Sequence, residues 1–212
     1  HGATVMRGGK VTGTATPSRE TPASLARMMI GRELPVCEIP AYTGEAEPVL
    51  TVQGLNHTPD DPFGTSLKDI GLQVRRGEIV GIAGISGNGQ AELLAALSGE
   101  STGPAATVSL AGKAIGHLDA GKRRKCGLTF VPEERLGRGA VPPMSLADNA
   151  TLTAHAQGLV KNGFLRPKAA WAFAKTCIER FDVRCGGPGA AARSLSGGNL
   201  QKFIVGREIM QQ

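Results

Sequence analysis

Residues 78–97, EIVGIAGISGNGQAELLAAL, decide the fold class of this chain. The apolar run at 78–83 is typical of a buried strand, the glycine-rich segment 84–89 of a tight turn, and the leucines of 90–97 of an amphipathic helix. In the order strand, turn, helix, the backbone N–H groups of the turn and the helix N-terminus point to one place, which suits a phosphate. The stretch therefore predicts an α/β fold with a phosphate-binding loop.

The loop departs from the phosphate-loop pattern G-x-x-x-x-G-K-[ST] at its last two positions. Gly84 and Gly89 have the required spacing, but Gln90 stands in place of the lysine and Ala91 in place of the serine or threonine. Gln90 cannot neutralise the charge of a β- or γ-phosphate, and Ala91 has no hydroxyl for Mg²⁺. Taken alone, the segment is explained at least as well by a tight connection between a strand and a helix.

A second glycine-rich motif, LSGGN at residues 195–199, opens a helix predicted over 200–210. The hydroxyl of Ser196 and the N–H groups of Gly197 and Gly198 would face an anion, with the helix dipole behind them. The alternative is a flexible N-cap, for which serine is a favoured residue. Because both motifs occur in this order, with strands and a helical insertion between them, phosphate chemistry is the better interpretation of each.

Other parts of the chain predict further elements. Residues 3–14 indicate a hairpin around Gly8-Gly9, and residues 21–31 a helix that begins at Thr21 and ends at Gly31. Residues 33–48 contain three prolines and no helical or strand period, which predicts a linker. Beyond it we expect strands and a mainly helical segment, at 49–52, 71–74, 107–110, 127–131 and 145–182, the last broken near 158–163 and Pro167.

The charge and the cysteine content of the chain exclude few classes of function. The net charge is +6, and the only dense basic cluster is Lys122-Arg123-Arg124-Lys125, with no aromatic residue among its members to stack on bases. We expect a solvated helix face there, with anion binding as the alternative. The four cysteines form no CxxC pair, which favours free thiols over a metal site. No run approaches the ~18 apolar residues of a membrane span.

Four stretches together resemble the ATP-binding cassette (ABC) ATPases of transporters. LSGGN, with Gln201-Lys202 after it, resembles the ABC signature in the form typical of sugar and nucleoside importers. Residues 84–93 are similar to the altered phosphate loop in the second half of their tandem ATPases, residues 130–135 (FVPEER) to the stretch at the Q-loop, and residues 144–149 (MSLADN) to the helix start that follows. The resemblance implies a P-loop NTPase fold of the ABC type, with an antiparallel β subdomain and a helical subdomain, incomplete in this chain.

The resemblance also implies a domain organisation. The opening residues 5–11 and 29–33 are similar to the end of a first cassette, so we expect residues 1–32 to be the C-terminal tail of that domain. Residues 33–48 would be the linker and residues 49–212 a second nucleotide-binding domain, with its helical subdomain at about 144–182. Walker B, the catalytic glutamate, the D-loop and the switch histidine would follow Gln212. We therefore expect no complete ATP site and no hydrolysis from this stretch alone.

Roles follow for particular positions from the same resemblance. Phe63 would stack on adenine, with a core aromatic as the alternative. Glu133 occupies the Q-loop region, where the family places a glutamine that touches Mg²⁺ and the attacking water. The signature residues Ser196, Gly197, Gly198 and Asn199 would cap the γ-phosphate held by another domain. The weaker site would be formed by the altered loop, which contains Gly84, Ser86, Gly87, Asn88, Gly89, Gln90 and Ala91.

As a whole, the resemblance implies an ATP-binding subunit of an importer for a sugar or nucleoside, with ATP and Mg²⁺ as cofactors. Its partners would be membrane permeases and, indirectly, a solute-binding protein. It would be located at the cytoplasmic face of the plasma membrane. Two alternatives remain open. One is a tandem ABC protein that acts on ribosomes or nucleic acid, which the short, proline-rich linker disfavours. The other is a structural half that never binds nucleotide.

Overall fold

The computed structural model describes residues 2–7, 9–31, 46–59 and 61–211. The chain divides into two compact units, His1–Gly44 and Glu45–Gln212. The predicted linker, 33–48, lies mostly outside the described residues, as does Cys37. Its last residue, Pro48, begins the first strand of the larger unit.

The smaller unit is a hairpin followed by one helix. Strands β1 (Ala3–Arg7) and β2 (Lys10–Ala15) pair antiparallel, and helix α1 spans Pro22–Ile30. Thr21 caps α1 through a reciprocal capping box with Ser24, and Gly31 ends the helix in the left-handed conformation, at φ 80°. Both elements confirm the prediction from sequence. Val5 is the one buried residue among those described in this unit, because so short a segment has little apolar surface to enclose.

The larger unit contains a four-stranded antiparallel sheet with the strand order β4-β3-β5-β6. These strands are β3 (Pro48–His57), β4 (Leu67–Arg75), β5 (Val108–Leu110) and β6 (Lys113–Ala114). Helix α2 (Gln90–Ser98) packs against the sheet. The cluster between them contains Val52, Leu55, Leu67 and Ala96, flanked by Leu93 and Leu97. The predicted strands at 49–52, 71–74 and 107–110 and the helix at 90–97 are confirmed within a few residues.

Two other predicted strands are absent from the described structure. Residues 78–83 and 127–131 form no strand and pair with no described strand. Ile79 is 93% exposed and Ile82 is 56% exposed. An apolar run favours a buried strand, but a strand exists only where a neighbour takes up its backbone N–H and C=O groups. The prediction was wrong because it rested on the run and not on a pairing partner.

Helices build the second core of the larger unit. Helices α3 (Ala120–Lys125) and α4 (Leu146–Ala154) are followed by a small hairpin, β7 (Val160–Lys161) and β8 (Phe164–Leu165), then by α5 (Pro167–Arg180) and α6 (Gly197–Ile209). This confirms a helical segment broken near 158–163, with a new helix at Pro167. The longest described helix, α5, has 14 residues, and no described helix has the length and apolar character to span a bilayer. The core includes Leu146, Ala150, Ala174, Cys177, Leu200, Phe203 and Ile204.

The basic cluster in α3 is only partly the solvated face that we expected. Lys122 and Lys125 are exposed, but Arg123 is 1% exposed and Arg124 pairs with Glu208. The guanidinium of Arg123 donates to four backbone carbonyls, those of Ala96, Leu97, Gly116 and Leu118. The last carbonyls of a helix have no partner within it, so Arg123 satisfies the end of α2. The sequence did not predict this role of Arg123, because four consecutive basic residues do not show which side chain is buried.

We expect Arg123→Met to lower the free energy of unfolding by about 3 kcal/mol, because it leaves buried carbonyls without donors. Lys125→Met, on the exposed side of the same helix, is the matched control and is expected to change it by about 0.5 kcal/mol or less. Urea denaturation of both variants measures the difference. Equal losses at the two positions would mean that Arg123 does not hold α2 to the loop before α3.

Candidate functional site

The predicted phosphate loop keeps its glycine framework in the structure. Gly87 and Gly89 have φ angles of 89° and 98°, which side chains rarely tolerate. Gly89 also forms the N-cap of α2, and a Cβ there would lie 3.1 Å from Leu67. Ser86 and Asn88 lie on the exposed part of the loop. The loop therefore opens α2 as the sequence predicted, even though the preceding segment is not a strand.

Gln90 does not point away from the loop but folds back into it. Its Oε1 accepts a hydrogen bond from the backbone N–H of Asn88 at 3.1 Å, and its Nε2 donates to the carbonyl of Ile85 at 3.1 Å. A Cβ at Gly84 would meet this amide, so the Gln90 side chain would have to move if residue 84 carried a side chain. Ala91, the next residue, has only a methyl side chain, so it supplies no hydroxyl for Mg²⁺ at the position where the phosphate-loop pattern has serine or threonine.

Thr65 ties the loop to the segment after β3. Its hydroxyl donates to the carbonyl of Gly87 at 2.8 Å, and its backbone N–H donates to Oε1 of Glu92 at 3.0 Å. The bond from Thr65, followed by one from the backbone N–H of Glu92 itself, lowers the pKa of the Glu92 carboxyl. A carboxylate thus occupies the first turn of α2, where the helix dipole favours negative charge.

Phe63, the predicted adenine platform, is 96% exposed. Its backbone N–H donates to the side chain of Asp61 at 3.0 Å, in a turn closed by Gly64. The alternative of a core aromatic is therefore wrong. Phe63 lies two residues before Thr65, so the tie between Thr65 and Gly87 holds this segment beside the phosphate loop.

The second motif opens α6 three residues earlier than predicted, at Gly197. Ser196 is the N-cap, with φ −64° and ψ 153°, but its side chain caps no backbone N–H. Instead, Asn199 Nδ2 donates to Ser196 Oγ at 2.9 Å, while Asn199 Oδ1 accepts from the backbone N–H of Arg184 at 3.0 Å. Because Ser196 Oγ is used as an acceptor, its proton remains available to an anion beyond the helix end.

Arg135, in the stretch at 130–135, lies beside Gly197 of the second motif. A Cβ at Gly197 would lie 3.1 Å from Nη1 of Arg135, so a guanidinium lies against the start of α6. Glu133, the Q-loop candidate, is exposed on the same stretch. The sequence alone indicated no role for Arg135, Thr65 or Glu92. The one available signal for Glu92 was its place directly after the two altered loop positions.

Each loop is anchored in its own hydrophobic cluster. Leu93 and Ala96 of α2 pack in the sheet cluster, whereas Leu200, Phe203 and Ile204 of α6 pack in the helical one. The described residues thus provide two separate glycine-rich helix starts. Within the part of the chain that the structure describes, no three His, Cys, Asp or Glu side chains come together as metal ligands.

Comparison with protein families identifies a family for most of the chain. The model of the "ABC transporter" family matches residues 67–212. The nucleoside import ATP-binding protein NupA of Lactococcus lactis is 37% identical over 207 residues, covering 97% of this chain and 41% of that protein. The glucose import ATP-binding protein TsgD13 of Haloferax volcanii is 37% identical over 209 residues, covering 97% and 38%. The chain thus spans about two fifths of the length of the curated relatives it matches.

Solved structures agree on the fold. The dimeric structure of MJ0796, a bacterial ABC transporter cassette, superposes with a TM-score of 0.60 at 18% identity, covering 76% of this chain and 69% of that one. The ADP conformation of MJ1267, an ATP-binding cassette of an ABC transporter, gives a TM-score of 0.59 at 16% identity, covering 78% and 65%. These likenesses identify the fold of the larger unit as that of an ABC cassette.

The depressed pKa of Glu92 predicts a pH dependence. A carboxyl whose pKa is lowered by folding stabilises the folded state above its unfolded pKa, and this stability is lost as the pH falls through the folded pKa. We therefore expect the wild type to lose its advantage over Glu92→Gln in urea denaturation as the pH falls from 7 into the acid range. Glu179→Gln, which removes an exposed carboxylate on α5, is the control. A pH-independent difference between wild type and Glu92→Gln would contradict the tie between Thr65 and Glu92.

Proposed function

This chain belongs to the ABC transporter family, and on that premise we propose that it forms part of the ATP-binding subunit of an importer for a sugar or a nucleoside. Its relatives include import ATP-binding proteins named for nucleosides, glucose and guanosine. The observation that carries the proposal is the exposed start of α6. There, Ser196, Gly197 and Gly198 present donors to solvent beside a guanidinium.

The start of α6 suits the γ-phosphate of an ATP molecule held by the phosphate loop of another cassette. The first N–H groups of a helix have no partner within it, and the helix dipole favours an anion there. Asn199 holds Ser196 Oγ from the helix side, which leaves the hydroxyl proton for a phosphate oxygen. These groups would act by positioning the γ-phosphoryl group and stabilising the charge that develops on it.

The loop at 84–91 would belong to the weaker of two nucleotide sites. Gln90 carries no charge to offset that of a triphosphate, and Ala91 has no side-chain hydroxyl for Mg²⁺ where the phosphate-loop pattern has serine or threonine. Hydrolysis would then occur at the site that α6 completes, where ATP and Mg²⁺ are held by residues outside this chain. The exposed ring of Phe63 would meet the adenine of a nucleotide at the weaker site.

We further propose that residues 1–32 are the end of a preceding cassette and that residues 49–212 belong to a second one. The helical part, at about 144–182, would contact membrane permeases on the cytoplasmic side. Through this contact, closure of the two nucleotide-binding domains around ATP would move the permeases, with a solute-binding protein as an indirect partner. One surface there suits such a contact. An open groove of about 130 Å³ is bordered by apolar and polar side chains together, including Met144, Leu152, Leu165 and Arg166.

Gly198→Asp tests the proposed role of α6 in the full-length protein. A Cβ at Gly198 would meet no atom within 4 Å, and an aspartate in the first turn stabilises a helix by about 0.3–1 kcal/mol. Folding should therefore be unharmed. Hydrolysis of ATP should fall by about 100-fold or more, because a carboxylate would face the γ-phosphate where donors are needed.

Gly198→Asn has the same shape without the charge and is the matched control. We expect it to retain more activity than Gly198→Asp at an equal melting temperature. If Gly198→Asp hydrolyses ATP at nearly the wild-type rate, α6 does not face a phosphate. Equal losses in the two variants would point to shape and not to charge.

A further inference from the structure

Two serines of this chain begin helices with nearly the same backbone geometry. Ser145 is the N-cap of α4, with φ −63° and ψ 161°, and Ser196 is the N-cap of α6, with φ −64° and ψ 153°. An N-cap serine normally accepts a hydrogen bond from the backbone N–H two or three residues further along the chain. The two serines are therefore expected to act alike, but their hydroxyl groups bond differently.

Ser145 forms what we call a closed cap. Its Oγ accepts from the backbone N–H of Asp148 at 3.0 Å, and its hydroxyl donates to Oδ2 of Asp148 at 2.6 Å. The serine thus uses both its acceptor and its proton within the first turn of α4. A ligand that approached this helix start would find the serine proton and the N–H of Asp148 already bonded.

Ser196 forms an open cap, because an asparagine lies three positions further on. Asn199 Nδ2 donates to Ser196 Oγ at 2.9 Å, and Asn199 Oδ1 accepts from the backbone N–H of Arg184 at 3.0 Å. A backbone N–H can only donate, so the amide oxygen must face Arg184 and the amide nitrogen must face Ser196. The oxygen that could have accepted the serine proton is turned away from it.

The polar groups left at the start of α6 are donors. Ser196 Oγ accepts from the amide and caps no backbone N–H. In the part of the chain that the structure describes, the N–H groups of Gly198 and Asn199 have no acceptor. An arrangement made only of donors suits a ligand whose oxygens only accept, such as a fully ionised phosphate.

We propose that Asn199 is a positioning residue: by holding Ser196 Oγ, it keeps the serine from capping its own helix and turns the hydroxyl proton toward the γ-phosphate. The inference rests on the proposed function in one respect, that the start of α6 faces a γ-phosphate. It goes beyond that function because one atom of residue 199, nitrogen in place of oxygen, decides whether the cap is open or closed.

Asn199→Asp tests the inference by giving Ser196 the partner that Ser145 has. One carboxylate oxygen can accept from Arg184 and the other from the serine hydroxyl, so the serine should close its cap on the N–H of residue 199. We measure hydrogen exchange of the full-length protein without nucleotide, corrected for intrinsic rates. The amide of residue 199 should exchange about two-fold or more slowly than in the wild type, as a formed N-cap would give. Asn199→Ala, which also releases the serine, serves if Asn199→Asp fails to fold.

Lys202→Met is the matched control, because it separates the orientation of Ser196 from simple support of a neighbouring segment. Lys202 Nζ donates to the backbone carbonyl of Asp182 at 2.9 Å and to its carboxylate at 3.1 Å. Its loss therefore loosens the segment that Asn199 also holds, without touching Ser196. The amide of residue 199 should keep its wild-type exchange rate in Lys202→Met, and kcat should fall less than in Asn199→Asp.

Turnover of ATP by the full-length protein connects the cap to the reaction. In Asn199→Asp, kcat should fall roughly ten-fold or more, because a donor to transition-state charge is withdrawn. The melting temperature should not fall, since a closed cap and a carboxylate in the first turn both stabilise a helix. Asn199→Ala adds no charge and should lower kcat as well, but it should cause no further loss in a Ser196→Ala background.

Three results would overturn the inference. The first is an amide of residue 199 that is already protected in the wild type, or that neither Asn199 variant protects. The second is a kcat loss for Asn199→Ala that multiplies with that of Ser196→Ala, and the third is a Lys202→Met variant that behaves as Asn199→Asp does. The proposed function would fail differently, if the cap closes as expected while Ser196→Ala and Asn199→Asp keep the wild-type kcat.

Discussion

The backbone N–H groups at the starts of α2 and α6 are the groups on which the proposed binding of phosphate depends. Every helix begins with N–H groups that its own carbonyls cannot reach, so each needs a side chain, a water molecule or a ligand. Both helices begin at glycine-rich turns, where the backbone can come close to a partner. Just before α2, the Gln90 side chain folds back onto the N–H of Asn88, whereas at the start of α6 no side chain caps a backbone N–H and residues 196–198 are exposed. This difference, more than the fold itself, separates the proposed roles of the two loops.

The position of α6 depends on a buried polar network at its far end. Arg207 is 2% exposed and donates to Glu208, to the carbonyl of Asn149 in α4 and to that of Gly139. Burial lowers the pKa of Arg207, while Glu208 opposes that shift. Glu208 also accepts from Thr153 of α4 and pairs with Arg124 of α3. Such a network costs desolvation, which its hydrogen bonds and ion pairs offset. It fixes α6 to α4, so the start of α6 and the helical region are expected to move together.

Local features of the fold could be predicted from sequence, and pairings could not. Helix α2 could be predicted from the spacing of Gly84 and Gly89 and from the leucines after them. The ends of α1 could be predicted from Thr21 and Gly31. Helix caps and hydrophobic periodicity act over a few residues, so both can be recognised in a short stretch of sequence. The apolar run at 78–83 led to a wrong strand prediction, because a strand forms only where a segment that is distant in sequence pairs with it. Arg123 was missed for the same reason, as its carbonyl partners include Ala96 and Leu97, 27 and 26 residues away.

In the candidate site, the residue types at 90 and 91 predicted a loop that binds phosphate and Mg²⁺ weakly. The hydrogen bond between Gln90 and Asn88 depends on the conformation of a side chain, which the spacing of residues does not encode.

The most direct test of the account is the turnover number of the full-length protein with Ser196→Ala and with Gln90→Ala, with Ser194→Ala as the control for loss of a hydroxyl near α6. Ser196→Ala deletes a donor to transition-state charge, which is worth about 2–4 kcal/mol, so kcat should fall roughly ten-fold or more. Gln90→Ala should change kcat only slightly, because its loop lacks the lysine and the metal ligand with or without the amide. Melting temperatures exclude unfolding as the cause. Equal losses at the two positions, or a larger loss at Gln90, would mean that the loops of the competent and the weaker site have been assigned the wrong way round.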